Sequence, residues 1–160
     1  MTKKINIQNL ELLISVSKEL RKRIIKTSYS ARIPHIGSCL SCLELLIYIY
    51  WEELFIDVKD PTNPERDRFI LSKGHGAPAL FQVLAEKGFY SLSMLDDFGK
   101  AGSVFHEHPP KPGFIPGVEA ATGSLGHGFP MALGMCLSGK IKKKKYNTIA
   151  LLSDGECNEG

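Results

Sequence analysis

The sequence predicts an α/β fold, in which a parallel sheet is covered by helices on both faces. Two short runs, Arg68–Leu71 and Ile149–Leu152, are mainly apolar and have the length of buried strands. Helical patterns lie between them, and strands joined by helical crossovers pair in parallel. The 160 residues, 43% of them hydrophobic, correspond to a single domain or part of one. Residues 1–31 form its leading helical section, and residues 32–160 carry its motifs.

The leading section is predicted to be one amphipathic helix over residues 8–31, because leucines and isoleucines recur there at helical spacing. Pro34 and Gly37 then interrupt the helical pattern. A second helix is predicted over about residues 39–54. Since this segment is apolar on most faces, we expect it to be buried.

A long irregular segment dominates the middle of the chain. The first strand is predicted to lead into a helix over about residues 77–87 and a short helix within residues 91–100. Residues 102–128 have no regular pattern and are rich in Gly, Pro and His. Irregular segments of this length are uncommon in compact domains and are often functional. An apolar helix over residues 129–140 is predicted to precede the final strand.

Charge and hydropathy exclude several classes of protein. The net charge is +3, and the lysine run Lys142–Lys145, a predicted solvated loop, alone exceeds it, so no nucleic-acid surface is indicated. No apolar run approaches the length of a membrane span. Met1–Gln8 lacks the apolar core of a secretory signal. Together with four cysteines, this predicts a reducing, cytoplasmic location.

Cys39 and Cys42 form a single C-x-x-C pair. A zinc site needs a second pair at short spacing, and Cys136 and Cys157 are far apart. A redox pair usually opens a helix after a strand, and no strand is predicted before Cys39. The pair is interpreted as small core residues, with a redox or metal role as the alternative.

All five histidines lie in predicted loops or at the starts of elements. Imidazoles in a cleft can hydrogen-bond sugar hydroxyls or phosphates and can transfer protons near neutral pH. We expect two or more of them in a functional site. His106 and His108 could instead hold a metal ion together with a third ligand, which leaves a small metal-binding module as an alternative.

Two glycine-containing segments are candidates for contact with a phosphate. Residues 123–128 are not a dinucleotide fingerprint, since no strand precedes them. Their glycines either admit a ligand to the backbone or form a tight turn. Asp154 and Gly155 follow the final strand, at the carboxyl end where α/β sheets bind ligands. Ser153 or Asp154 is predicted to cap a helix whose N–H groups face a diphosphate, with Mg²⁺ bridging it to Asp154.

Taken in order, these segments resemble the N-terminal, thiamine-diphosphate-binding part of transketolases. The resemblance covers about residues 10–160 and depends on the ordered set of motifs rather than on any one of them. The matching segments are Pro34–Ser38, Asp67–Gly76, His106–Pro109, Pro116–Glu119, Thr122–Gly126, and Asp154–Gly155 with Glu159–Gly160.

The resemblance implies that the cofactors are thiamine diphosphate and Mg²⁺. It implies that Asp154 binds the metal and that the Gly155 backbone contacts the diphosphate. Gly123 and Leu125 would contact the aminopyrimidine side of the cofactor through backbone groups, and His75 would lie beside the diphosphate.

The resemblance also implies transfer of a two-carbon ketol unit from a ketose phosphate to an aldose phosphate, a reaction of pentose phosphate metabolism. His35, His108 and His75 are the implied catalytic residues, with His35 and His108 in the substrate channel. Glu159 would join carboxylate contacts across a subunit interface, which implies an oligomer. The cofactor supplies the carbanion chemistry, and the protein supplies orientation, proton transfer and charge placement.

The sequence departs from the family at several positions. Pro34, His127 and Ser153 stand where Gly, Gln and Gly are usual. The family's later Asn ligand to the metal and its Glu that activates the aminopyrimidine do not occur within these 160 residues. We therefore expect a fold that is incomplete after the Asp-Gly motif and an activity that needs a C-terminal transketolase subunit or the remainder of the domain. The alternatives are a non-catalytic remnant and a metal- or phosphate-binding module.

Overall fold

The computed structural model describes residues 7–160. The prediction that Met1–Gln8 carries no secretory signal concerns residues that lie largely outside this range. The helices and strands are α1 (Ile7–Ala31), α2 (Ile36–Leu40), α3 (Leu43–Tyr48), β1 (Arg68–Leu71), α4 (Ala77–Lys87), α5 (Gly128–Ile141) and β2 (Thr148–Leu151). A π-helical turn, Ile49–Glu53, extends α3, and short 3₁₀ turns occur at Gly74–Gly76, Leu92–Asp97 and Gly155–Asn158.

The two strands pair in parallel, with Arg68 opposite Thr148 and Leu71 opposite Leu151. The Ser72 amide also donates to the Leu151 carbonyl at 3.0 Å, so the pairing continues past the end of β1. Parallel strands need a crossover, and here it contains α4, the irregular segment and α5. The carboxyl ends of both strands therefore lie side by side.

Both faces of the sheet are covered, as the sequence predicts. Phe69 and Leu71 are 4% and 2% exposed and belong to the main core, which includes side chains of α1, α3 and α4. Ile70 belongs to a second, smaller cluster with Ala120 and with Ala132 of α5. Successive side chains of a strand point to opposite faces, which explains this division. The α/β prediction is confirmed.

The two cysteines of the C-x-x-C pair are free thiols in the core. Cys39 is 0% exposed and Cys42 is 2% exposed, and neither forms a disulfide. Burial raises the pKa of the Cys39 thiol to about 11, which suppresses the thiolate that redox or metal chemistry would need. Their interpretation as small core residues is confirmed.

The single helix predicted over residues 39–54 is wrong in its bounds and in its continuity. Helix α2 begins earlier, the chain breaks at Ser41 and Cys42, and α3 passes into the π-helical turn. Cys42 has φ −114° and ψ 1°, and its Sγ lies 3.3 Å from where a Cβ on Gly76 would be. The break therefore places Cys42 in the core against the turn that follows β1.

Residues 98–127 contain neither an α-helix nor a strand, in agreement with the irregular segment predicted over residues 102–128. The short helix predicted just before them is a 3₁₀ turn instead. The segment is nevertheless well packed, because Phe105, Ile115 and Val118 are buried in the main core.

Helix α5 is apolar on its exposed side as well as on its buried side. Small residues, Gly128, Ala132 and Gly139, are its buried positions. Five large apolar side chains of the helix have exposures of 41% to 81%; these are Phe129, Met131, Leu133, Leu137 and Ile141. Across residues 7–160, no helix combines the length and the apolar content that crossing a membrane requires.

Candidate functional site

Three loops meet at the carboxyl ends of the two strands. The β1 turn, residues 72–76, follows the first strand, and the β2 turn, residues 153–158, follows the second. Because the strands are parallel and in register, these turns lie at the same edge of the sheet. The glycine-rich loop, residues 122–127, precedes α5 and is hydrogen-bonded to the end of β1 and to the β2 turn.

Glycines allow the glycine-rich loop to lie directly on the β1 turn. A Cβ on Gly74 would come within 2.6 Å of the backbone of Thr122 and Gly123. Gly123 has a φ of 154°, and a Cβ there would lie 2.8 Å from the His108 ring. The Thr122 hydroxyl donates to the Leu71 carbonyl at 2.7 Å and fixes the start of the loop. These glycines thus serve close backbone approach within the chain.

Three of the predicted histidines form one cluster, although they lie far apart in the sequence. The His75 ring centroid lies 4.5 Å from that of His35 and 4.7 Å from that of His108, in edge-on contacts. His35 and His108 are 6.5 Å apart. His35 precedes α2 with a left-handed backbone, φ 70°, and His75 lies in the β1 turn. The structure therefore brings all three candidate catalytic residues together.

The surroundings of His75 lower its pKa. Burial is the largest cause, followed by the neighbouring His108, His35 and Lys73, while Glu107 acts in the opposite direction. A neutral imidazole can both donate and accept a hydrogen bond. The cluster can therefore hold hydroxyl or phosphate oxygens and can exchange a proton near neutral pH.

The other two histidines do not join the cluster. His106 and His127 are exposed, and Nδ1 of His127 lies 3.3 Å from the Leu125 carbonyl oxygen. Within the described part of the chain, no group of three or more His, Cys, Asp or Glu side chains is placed to hold a metal ion. A metal-binding module built on His106 and His108 therefore has no structural support.

The helix predicted after β2 is a single 3₁₀ turn. It spans Gly155–Asn158, and extended backbone at Glu159 ends it after one turn. Asp154 makes no capping hydrogen bond. Ser153, the other predicted cap, does cap the turn, because its Oγ accepts a hydrogen bond from the Glu156 amide at 3.2 Å.

Asp154 and Gly155 present free groups at the edge of the sheet. The Asp154 carboxylate is exposed and has no hydrogen bond or ion pair within residues 7–160. A Cβ on Gly155 would meet nothing within 4 Å, so open space lies beside this backbone. Glu159 is exposed beside the glycine-rich loop, with its Cβ 3.1 Å from where a Cβ on Gly126 would be. Leu125 of that loop is half-buried. The free Asp154 carboxylate beside the open backbone of Gly155 fits a diphosphate and its cation.

Two buried ionisable residues at this site are missing from the sequence-based prediction. Glu156 is 2% exposed and accepts hydrogen bonds from Ser72 Oγ at 2.5 Å, Gly126 N at 3.1 Å and Ser153 N at 3.3 Å. Lys73 is 8% exposed and has no carboxylate partner within the described residues. Charged side chains are ordinarily exposed, so nothing in the local pattern distinguishes these two.

Comparisons of sequence with known proteins agree with one another. Residues 15–157 match the family described as transketolase, thiamine diphosphate binding domain. The chain is 40% identical over 154 residues to one subunit of the apulose-4-phosphate transketolase of Phocaeicola vulgatus, a match that covers 96% of this chain and 53% of that protein. It is 39% identical over 155 residues to human transketolase, a match that covers 96% of this chain and 24% of that protein.

Comparison of structures gives the same result. The transketolase of Campylobacter jejuni matches with a TM-score of 0.85 at 28% identity, covering 98% of this chain and 25% of that one. The chain thus spans about half the length of the Phocaeicola vulgatus protein and about a quarter of the length of the two other transketolases.

Proposed function

This chain belongs to the transketolase family through its thiamine-diphosphate-binding domain, and on that premise we propose that it supplies the cofactor-binding part of a ketol-transferring enzyme. The reaction would move a two-carbon ketol unit from a ketose phosphate to an aldose phosphate. One observation carries this proposal: the histidine cluster and the β2 turn lie against the same loop. His108 packs on Gly123 of that loop, and Glu156 accepts from Gly126.

The β2 turn is the proposed site of the cofactor. When bound, thiamine diphosphate supplies the carbanion chemistry of ketol transfer. The open backbone at Gly155 would receive the diphosphate, and the free carboxylate of Asp154 would hold Mg²⁺, which prefers oxygen ligands. The backbone of Gly123 and Leu125 would contact the aminopyrimidine side.

The histidine cluster is the proposed substrate end of the site. His35 and His108 would hold the oxygens of the sugar phosphates. His75 would lie beside the diphosphate and exchange a proton with a reacting oxygen. Its lowered pKa supports this role, because a base that is neutral near pH 7 can accept that proton.

We propose that the active enzyme needs more protein than these residues. The described residues provide no three-ligand metal group, and Mg²⁺ requires an octahedral set of ligands. The exposed apolar side of α5 and the exposed Glu159 support contact with a further subunit. This would be a C-terminal transketolase subunit or the remainder of the domain, within an oligomer.

Residues 1–160 would form a single, partial thiamine-diphosphate-binding domain, in which residues 1–31 lead and residues 32–160 carry the site. Its substrates would be the sugar phosphates of pentose phosphate metabolism, and its location would be cytoplasmic.

Calorimetric titration of the complete enzyme with thiamine diphosphate and Mg²⁺ tests the cofactor site. We expect saturable binding that depends on Mg²⁺ and is abolished by Asp154→Ala, because this substitution removes the proposed metal ligand. Asp96→Ala is the matched control, since Asp96 is also an exposed aspartate but lies in the Leu92–Asp97 turn. Binding that survives Asp154→Ala, or that Asp96→Ala reduces equally, would contradict the assignment of Asp154.

A further inference from the structure

We propose that Glu156 is a positioning residue that holds the cofactor-binding loops in their binding geometry before the cofactor arrives. This inference rests on the proposed function, because thiamine diphosphate is the ligand these loops would take. Glu156 itself is 2% exposed, so its carboxylate faces protein rather than solvent.

The Glu156 carboxylate joins three separate segments. Ser72 Oγ of the β1 turn lies 2.5 Å from it, Gly126 N of the glycine-rich loop 3.1 Å, and Ser153 N at the start of the β2 turn 3.3 Å. These residues are separated by tens of positions in sequence, and their hydrogen bonds converge on one side chain. One carboxylate therefore sets the relative placement of all three loops.

The donors of these hydrogen bonds lie close in sequence to the proposed site residues. Ser72 shares the β1 turn with His75, and the other two donors adjoin Leu125 and Asp154 in the sequence. A displacement of the Glu156 carboxylate would thus shift the metal ligand and the aminopyrimidine contact relative to each other. Outer-shell groups that orient ligands in this way commonly affect metal affinity by about 10- to 100-fold.

Stability alone does not explain a carboxylate at this position. None of the ion pairs formed by residues 7–160 includes Glu156, so its negative charge is buried without a cation. Burying a charge is costly, and apolar residues of similar size are often as stabilising or more so. The three oriented hydrogen bonds are what the carboxylate contributes that an apolar side chain cannot.

Glu156→Gln tests the inference in the complete enzyme. Glutamine keeps the shape of the side chain but directs an NH₂ group at backbone or hydroxyl donors that need an acceptor. We expect the dissociation constant for thiamine diphosphate, measured by calorimetry with saturating Mg²⁺, to rise by about 10- to 100-fold. Without cofactor, hydrogen exchange should become faster at the Gly126 or the Ser153 amide, whichever faces the NH₂ group, because the two amides bond different carboxylate oxygens and glutamine keeps only one acceptor. Unfolding should stay cooperative.

A second variant keeps the test decisive if Glu156→Gln does not fold. Ser72→Ala removes one donor and leaves the carboxylate in place, and it should also weaken cofactor binding. Where both variants fold, the double variant should lose less cofactor-binding free energy than the sum of the two single losses, because the two groups share one hydrogen bond. Glu86→Gln, in an ion pair with Arg23 away from the site, is the matched control and should bind normally.

Three results would overturn the role of Glu156, and cofactor binding by the wild-type enzyme separates that role from the proposed function. Wild-type cofactor affinity in Glu156→Gln, unchanged exchange at both the Gly126 and the Ser153 amides, or wild-type affinity in Ser72→Ala would overturn that role. If the wild-type enzyme binds thiamine diphosphate and loses it on Asp154→Ala, the proposed function stands even when Glu156 proves unimportant. If the wild-type enzyme does not bind the cofactor, both proposals fail.

Discussion

His75 lies in the histidine cluster and has a lowered pKa. Its pKa is lowered by burial first, and then by the neighbouring His108, His35 and Lys73. Replacing His108 with asparagine removes one of these charges and opens the ring to water. We therefore expect the pKa of His75 to rise toward the ordinary value of about 6.5 in His108→Asn. Titration of the imidazole Hε1 signals by NMR measures this shift.

The same shift makes stability depend on pH. Because the pKa of His75 is lower in the folded chain than in the unfolded chain, the unfolded chain binds this proton more readily. Through this group, the free energy of unfolding is expected to fall as the pH drops below about 6.5. His75→Gln should make the free energy of unfolding depend less steeply on pH, as measured by denaturant titrations at a series of pH values. His127→Asn is the control for both measurements, since His127 is exposed and outside the cluster. An unchanged His75 titration in His108→Asn would contradict the proposed coupling.

Sequence reasoning at the residue scale identifies side chains that are unusual for their position. His35, His75 and His108 stand out because they lie in loops beside Gly or Pro, and the structure brings them together. Glu156 does not stand out, since an acidic residue in a polar turn is normally solvated. Its burial arises from donors on distant segments, which no local window of sequence contains.

At the scale of elements, a buried ion pair ties the irregular segment to the loop before β1. Arg66 and Glu119 lie 2.9 Å apart, with side-chain exposures of 14% and 10%. Burial raises the pKa of Glu119, and the Arg66 guanidinium opposes that effect. Glu119→Leu would leave the buried guanidinium without its carboxylate, so we expect a loss of about 3 kcal/mol in the free energy of unfolding.

Urea denaturation of single and double variants checks this value. The double variant Arg66→Met with Glu119→Leu should recover much of the loss, because an apolar pair replaces an ion pair without leaving a buried charge. The exposed pair Lys100–Asp97 is the control, and Asp97→Ala should cost less than about 1 kcal/mol. A double variant less stable than Glu119→Leu alone would show that Arg66 stabilises the segment through other contacts.

The elements that the sequence predicts well are those with a strong local pattern. Both strands and α5 lie where apolar runs place them, within one or two residues. The break between α2 and α3 was not predicted, because its cause is tertiary. Cys42 packs beneath Gly76, a residue more than thirty positions later in the chain. Helical periodicity continues across the break and conceals it.

For the whole molecule, parallel pairing is what creates the site. The in-register pairing of β1 with β2 places the β1 and β2 turns at one edge, where the glycine-rich loop joins them. The order of motifs along the sequence indicates that such a site exists. It cannot supply the distances between the histidine rings, because these depend on how residues 98–127 fold over the core.

An exposed apolar stripe on α5 is a candidate surface for association with other chains. Phe129, Leu133, Leu137 and Ile141 recur every four residues on one side of the helix and are 52%, 52%, 50% and 81% exposed. Covering the exposed half of a leucine contributes about 1 kcal/mol, so two leucines account for more than a tenfold change in association. We therefore expect Leu133→Lys with Leu137→Lys to suppress both self-association of the chain and its assembly with a further subunit.

Sedimentation velocity over a range of concentrations separates this surface effect from a general change in solubility. Leu12→Lys is the matched control, because Leu12 is 53% exposed but lies on α1, away from α5. It should associate as the wild-type chain does, since it leaves the stripe intact. If the double lysine variant sediments like the wild-type chain, both alone and with the further subunit, the stripe is not an interface. Contact with a further subunit would then involve the exposed Glu159 or the edge of β2, which pairs only with β1 among the described residues.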